Sequence, residues 1–249
     1  MCSWLLEKVI KNKSNKYLLE KSKMKKLITI SFMCVLFIAV SANANLLVDP
    51  GFEVNPLDTA TNVLNYFVTY QGIWGQENST ITGVDGGVAP AQGIKMLRMD
   101  NTGSYTQTFQ VTDVTSYAAL IDSGGATANM NALFNVDKNL AAALGVVGLS
   151  FFTASNYGSI IGSSPTASLT LDNSVNTWEQ ISVSSAIPVG TRWVLSQVAY
   201  MDSTLLGIDG NYGGGYVDAA DMTIVPEPAT MCLLGLGGLL LRKRKVFAR

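Results

Sequence analysis

The sequence predicts an all-β body, an antiparallel β-sandwich over residues 45–225, flanked by a signal peptide and a short C-terminal transmembrane helix. Three observations predict it. Apolar and polar residues alternate with period two in one body segment after another, and the gaps between are rich in Gly, Asn, Asp and Ser. Charge falls in blocks: residues 1–44 sum to +6, residues 45–225 to −11 and residues 226–249 to +4, in a chain of net charge −1. The three cysteines, Cys2, Cys34 and Cys232, all lie in the end segments. End-loaded positive charge belongs to targeting segments, and an acidic body repels phosphate backbones, so nucleic acid is excluded as a partner.

In chain order, residues 1–23 carry no globular pattern and precede Met24, and they read as an extension from a mis-called upstream start, a long n-region being the alternative. Residues 24–44 read as a signal peptide: Lys25 and Lys26, an uncharged apolar run from Leu27 to Val40, then the small residues Ala42 and Ala44 that signal peptidase accepts, so the mature chain begins at Asn45. Cys34 is an apolar filler of that run, because Phe32 and Met33 are too bulky for lipoprotein processing.

Within the body, Tyr105, Phe109 and Val111 share one strand face and Thr106, Thr108 and Gln110 the other. Ala167, Leu169 and Leu171 alternate with Ser168 and Thr170, and Ile181 and Val183 with Gln180 and Ser182. Trp193 to Met201 is a longer run of β-formers, and Met222 and Ile224 close the series. Asn139 to Val147, rich in Leu and Ala, reads instead as a short helix or a loop excursion. A body of this length without a thiol rests on its hydrophobic core rather than on disulfides.

Residues 226–249 form the most specific segment. Pro226-Glu227-Pro228 precedes an apolar, glycine-containing stretch to Leu241, and Arg242, Lys243, Arg244 and Lys245 close it. Prolines break a preceding strand, an apolar helix enters the bilayer, and the basic cluster stays on the cytoplasmic side. The thirteen residues from Ala229 to Leu241 reach only ~20 Å as a helix against a hydrocarbon core of ~30 Å, so the anchor is marginal and suits a temporary attachment.

That order closely resembles the PEP-CTERM sorting signal. The resemblance implies recognition by an exosortase, a membrane cysteine protease-transpeptidase of Gram-negative bacteria that make exopolysaccharide. The tail would be removed near Pro226-Glu227-Pro228, and the body would pass from the inner membrane to the cell surface or extracellular matrix.

A second resemblance covers the body. Asn45-Leu46-Leu47-Val48-Asp49-Pro50-Gly51-Phe52-Glu53 is similar to the opening of jelly-roll, galactose-binding-like carbohydrate-binding modules. Gln107 to Val111, Trp178 to Val183 and Tyr216 to Val225 fit later strands of the same series, although Asp218 is followed by Ala219 where paired acids are common. The resemblance implies a structural calcium between the first and last strands, with Glu53 and Asp218 as ligands. The residues permit it independently. Asp218 shares the parity of Met222 and Ile224, which aims its carboxylate at the core, and a buried carboxylate needs a cation or strong donors. A strand start in water is the alternative.

No histidine occurs in the chain, which removes Ser–His–Asp triads and most zinc and iron sites. Glu77, Asp85, Glu179 and Asp202 carry no context that marks a glycosidase pair. For a glycan ligand the candidates are Trp74, set between Gly72 and Gly75, and Tyr212 in a glycine-rich segment, with core packing or a loop lid as the alternative for both. The sequence therefore describes a non-catalytic, exported, exosortase-sorted protein associated with exopolysaccharide. A carbohydrate-binding module with its own glycan is the alternative, and a glycoside-active enzyme the third reading.

Overall fold

Two sheets face one another in the computed structural model, and each is built from the alternating segments of the body. The structure describes residues 44–54, 58–59, 72–76, 79–99, 106–137, 143–154, 159–202 and 215–227. Asn43–Glu227 form a compact unit by themselves. The strands are β1 (Asp58–Thr59), β2 (Gly75–Gln76), β3 (Ser79–Thr82), β4 (Met96–Met99), β5 (Thr106–Asp113), β6 (Ala126–Val136), β7 (Ala143–Phe152), β8 (Ile160–Ser163), β9 (Ala167–Thr170), β10 (Glu179–Ala186), β11 (Trp193–Asp202) and β12 (Gly215–Pro226). A short helix, α1 (Ala118–Asp122), sits between β5 and β6.

The larger sheet has the order β1-β2-β5-β11-β7-β8, with β9 also paired to β7, and the smaller has the order β10-β6-β12-β4-β3. Pairing is antiparallel except between β1 and β2. The chain changes sheet from β2 to β3, β4 to β5, β5 to β6, β6 to β7, β9 to β10, β10 to β11 and β11 to β12. This winding is the jelly-roll sandwich that the sequence predicts, and it buries one face of each sheet against the other.

Alternation fixes which side chains meet in the core. Ala128, Met130, Ala132 and Phe134 of β6 point inward, as do Val147, Leu149 and Phe151 of β7, Val194, Val198 and Tyr200 of β11, and Val217, Met222 and Ile224 of β12. All are buried. Between facing elements space is short: a Cβ added at Gly145 of β7 would lie 2.6 Å from Ile181 Cδ1 and 2.7 Å from Phe134 Cδ1. Edge strands are interrupted. β8 and β9 both pair with β7, and in the gap between them Ser164 donates its backbone N–H to the Leu149 carbonyl and accepts the Leu149 N–H on its hydroxyl. With Pro165 next to it, this break leaves no long flat edge there.

One expectation is corrected, and one strand turns an unexpected face to the core. Ala143 to Val147 belong to strand β7, not to a helix, because Ala143, Val147, Leu149 and Phe151 recur at even spacing and bury one face; residues 139–142 lie outside the described residues. In β5 both faces are buried, and the polar one looks inward. Thr108 Oγ1 lies 3.1 Å from the Ser79 hydroxyl of the opposite sheet, whereas Phe109 and Val111 pack with Phe152 and Leu195 in a separate cluster on the outer side. Alternation separates the two faces of a strand without saying which one is the core.

Among the described residues, no helix is long and apolar enough to cross a membrane. The signal-peptide residues through Asn43, and Pro228 with Arg242, Lys243, Arg244 and Lys245, lie outside the described residues.

Candidate functional site

The opening segment and the last strand meet at a bulge in β12. Asp218 pairs with Leu133 and Asp221 with Asn131, so β12 spends one residue more than β6 between those pairs. Ala219 takes φ 48° there, a left-handed conformation that a non-glycine residue adopts at a cost of ~1 kcal/mol. The bulge reverses parity. Asp218 consequently lies on the face opposite to Met222 and Ile224, and the expectation that it points into the core is corrected.

Asp218 is nonetheless fully buried, because loops roof it. Its Oδ2 accepts the Gln92 N–H at 2.9 Å and its Oδ1 the Ala219 N–H at 2.7 Å. Glu53 reaches the same loop: its Oε1 accepts the Ile94 N–H at 2.8 Å and the Lys95 N–H at 3.2 Å. The loop turns at Gly93, with φ +70°, where a Cβ would collide with the Glu53 carboxylate, so glycine is required twice over. Burial pushes the Asp218 carboxyl above the usual carboxylate range. The N–H donors of Gln92, Ala219 and Ala91 oppose that shift, and the charge of Glu53 adds to it.

The opening segment is fitted to this corner residue by residue. Asn45 Nδ2 donates to the Ala220 carbonyl at 2.9 Å, and Asn45 Oδ1 accepts the Leu47 and Met222 N–H groups, both at 3.0 Å. Gln110 receives the Val48 N–H and donates to the Val48 carbonyl, a side-chain amide acting as a strand neighbour. Asp49 accepts the Glu53 and Val54 N–H groups and so closes the turn that presents Glu53. Ala44, the residue just before the expected signal cleavage, is exposed.

Glu53 and Asp218 thus converge on one loop as a pair of carboxylates with like charge, one of them buried. That donor set fits calcium, a hard cation that takes oxygen ligands. Among the described residues no three acidic, His or Cys side chains gather at one point, so backbone carbonyls would complete the shell.

The glycan candidates fare differently. Trp74 is completely buried, donates its indole N–H to the Asp49 carbonyl at 2.9 Å, and packs on Phe52 with ring centroids 4.9 Å apart. It is a core residue that anchors the opening turn, and the expectation of an open sugar platform there is corrected: the flanking glycines let the chain bring the ring inward. Tyr212 lies outside the described residues. The aromatic that the sequence did not single out is Trp193. On the outer face of the larger sheet Trp193, Leu195 and Gln197 lie level with Asp113, Val111 and Phe109 of β5 and with Phe152, Ser150 and Gly148 of β7. Trp193 is half-buried against the apolar cluster of that face, and Gln197 hydrogen-bonds Gln107 beside it.

Of the candidate carboxylates, Asp85 and Glu179 make contacts within the fold. Asp85 pairs with Arg98 at 2.9 Å and accepts the Tyr216 hydroxyl at 3.2 Å, and the phenol is pushed up first by burial and then by the Asp85 charge. Glu179 accepts the Asp172 N–H at 2.8 Å. The side chains of Glu77 and Asp202 lie outside the described residues.

At the far end of β12 the chain leaves the sheet. Val225 pairs with Thr127 and Pro226 with Ala126, and the Glu227 N–H donates to the Gly125 carbonyl at 2.8 Å.

Residues 225–245 match the PEP-CTERM protein-sorting motif. No curated protein matches the chain. Among solved structures, the chain is similar to the enzymatically active domain of tailspike protein 4 of bacteriophage CBA120, at 9% identity and a TM-score of 0.40, covering 71% of this chain and 22% of that one. It is similar to the CBM22-1 and GH10 modules of Clostridium thermocellum endo-1,4-beta-D-xylanase 10B, at 13% identity and a TM-score of 0.41, covering 74% and 29%. Likeness to a family 16 carbohydrate-binding module, at 15% identity and a TM-score of 0.42, covers 72% of this chain and 99% of that one. The chain thus spans less than a third of the first two. The sandwich itself rests on the strand pairing described above.

Proposed function

We propose that the chain is a non-catalytic surface or matrix protein associated with exopolysaccharide, exported through its signal peptide and released from a temporary C-terminal anchor by an exosortase. The PEP-CTERM motif at residues 225–245 carries this reading, since it is the signal of an exported, exosortase-processed protein of Gram-negative type. Attack on a peptide bond near Pro226-Glu227-Pro228 breaks the C–N bond. The acyl part passes to water or to an amine acceptor, and the tail departs with a new amino group. Glu227→Ala tests it: the variant is exported and accumulates in the membrane at uncleaved mass. Release at the wild-type rate would refute the reading.

A second reading, a carbohydrate-binding module with its own glycan, is favoured by the half-buried Trp193 on the outer face of the larger sheet, the same face that carries the amides of Gln107 and Gln197 farther along β5 and β11. Polysaccharide pull-down that Trp193→Ala abolishes would support it. Retained binding in that variant would remove this face from consideration. Calcium, in either reading, would have a structural role: Glu53 and Asp218 would hold it, and its charge would offset theirs where the opening segment, the Gly93 loop and β12 meet.

A further inference from the structure

We infer that the sorting signal begins inside the fold, so that Val225, Pro226 and Glu227 form a processing site held shut by the end of strand β12. The inference rests on the sorting reading and adds to it what controls access. The matched motif starts at Val225, which is still paired with Thr127. Pro226 remains in register with Ala126, and the Glu227 N–H is tied to the Gly125 carbonyl. All three residues are half-buried, and the sequence continues into Pro228 without a spacer. Proline is tolerated here because the pairing of β12 with β4 stops at Val217, so among the described strands this end of β12 pairs with β6 alone.

A protease takes its substrate as a free extended strand and pairs with the backbone on both sides of the bond it cuts. The backbone of Val225 to Glu227 is already paired. The sorting enzyme must therefore wait for, or force, the last pairs of β12 to open while the rest of the sandwich stays folded. Strand ends are where such local opening is least costly, so the site is closed but openable. Tail removal is in this way linked to how firmly the body grips its own last strand, and a body that holds β12 more tightly stays longer at the membrane.

The test follows the full-length precursor by pulse–chase in cells that contain the exosortase, with Cys232→Ala throughout. In one variant a flexible insertion of about eight Gly and Ser residues between Ile224 and Val225 frees the motif from the sheet. The half-life of the membrane precursor should fall roughly tenfold, the factor expected for removing one or two net hydrogen bonds from the opening step. In a second variant Thr127→Cys with Val225→Cys clamps the strand end; the oxidised form should persist, and reductant should restore processing. An insertion variant whose half-life stays within about twofold of wild type, or lengthens, would overturn the inference, as would an oxidised clamp processed at the wild-type rate. The insertion arm decides alone if the clamp does not oxidise. Wild-type tail removal that persists without the exosortase would defeat the sorting reading, and this inference with it.

Discussion

Replacing Trp74 separates a core residue from a ligand platform, because the two roles predict opposite effects. The ring is fully buried against Phe52, and its N–H donates to the Asp49 carbonyl, so truncation both empties a large volume and removes one of the two hydrogen bonds to that carbonyl, which also accepts the Phe52 N–H. Aromatic-to-alanine changes at such sites cost about 3–5 kcal/mol. For a body of this size each kcal/mol moves the thermal midpoint by roughly 2–4 °C, so Trp74→Ala should lower it by about 6–20 °C. Trp74→Phe keeps most of the apolar contact and loses the hydrogen bond and part of the ring, and should cost about 1–2 kcal/mol. Thermal unfolding followed by tryptophan fluorescence and far-ultraviolet circular dichroism, on the wild-type and both variant proteins, reads the difference directly. A midpoint for Trp74→Ala within about 2 °C of wild type would refute the packing argument.

Gly145→Ala should destabilise by about 1–3 kcal/mol in denaturant titration, because its Cβ would press on Ile181 and Phe134 across the core; an unchanged midpoint would contradict the facing of β7 and β6. In chelator, the native state keeps the Asp218 proton to higher pH than the unfolded chain does. This group's contribution to stability is therefore fully present below the ordinary carboxylate pKa and is lost as pH rises through the raised one. The difference in midpoint between wild type and Asp218→Ala should shrink accordingly across that window. Millimolar calcium should raise the wild-type midpoint at neutral pH and leave Asp218→Ala unmoved. Equal wild-type midpoints in chelator and calcium would leave Glu53 and Asp218 as hydrogen-bond acceptors for the Gly93 loop and nothing more.

Much of this architecture is legible in the sequence where one face of a strand is apolar and its period is unbroken. β10 and β11 begin at Glu179 and Trp193, where the alternation places them. The sorting motif is legible in full because its elements are linear: prolines, an apolar run and a basic cluster in fixed order need no partner from elsewhere in the chain. β7 is obscured by the run of Leu and Ala at its start, residues that favour helix when isolated and are overruled here by pairing with β11 on one side and β8 and β9 on the other. The orientation of Asp218 is hidden for a sharper reason. One extra residue at the bulge inverts every inference drawn from parity, and the residue that absorbs it is Ala219, not a glycine that would have advertised a left-handed conformation. Trp74 misleads because a tryptophan between glycines looks like a loop tip, whereas the fold uses the slack to lay the ring on Phe52.

The central claim is that the body is delivered outside the cell and parted from its tail at the junction with β12. Intact mass and terminal peptides of the extracellular protein test it most directly. The account predicts a chain that starts at or near Asn45 and ends close to Pro226-Glu227-Pro228, without the residues from Met231 to Arg249. An extracellular product that still carried Arg242, Lys243, Arg244 and Lys245 would contradict it.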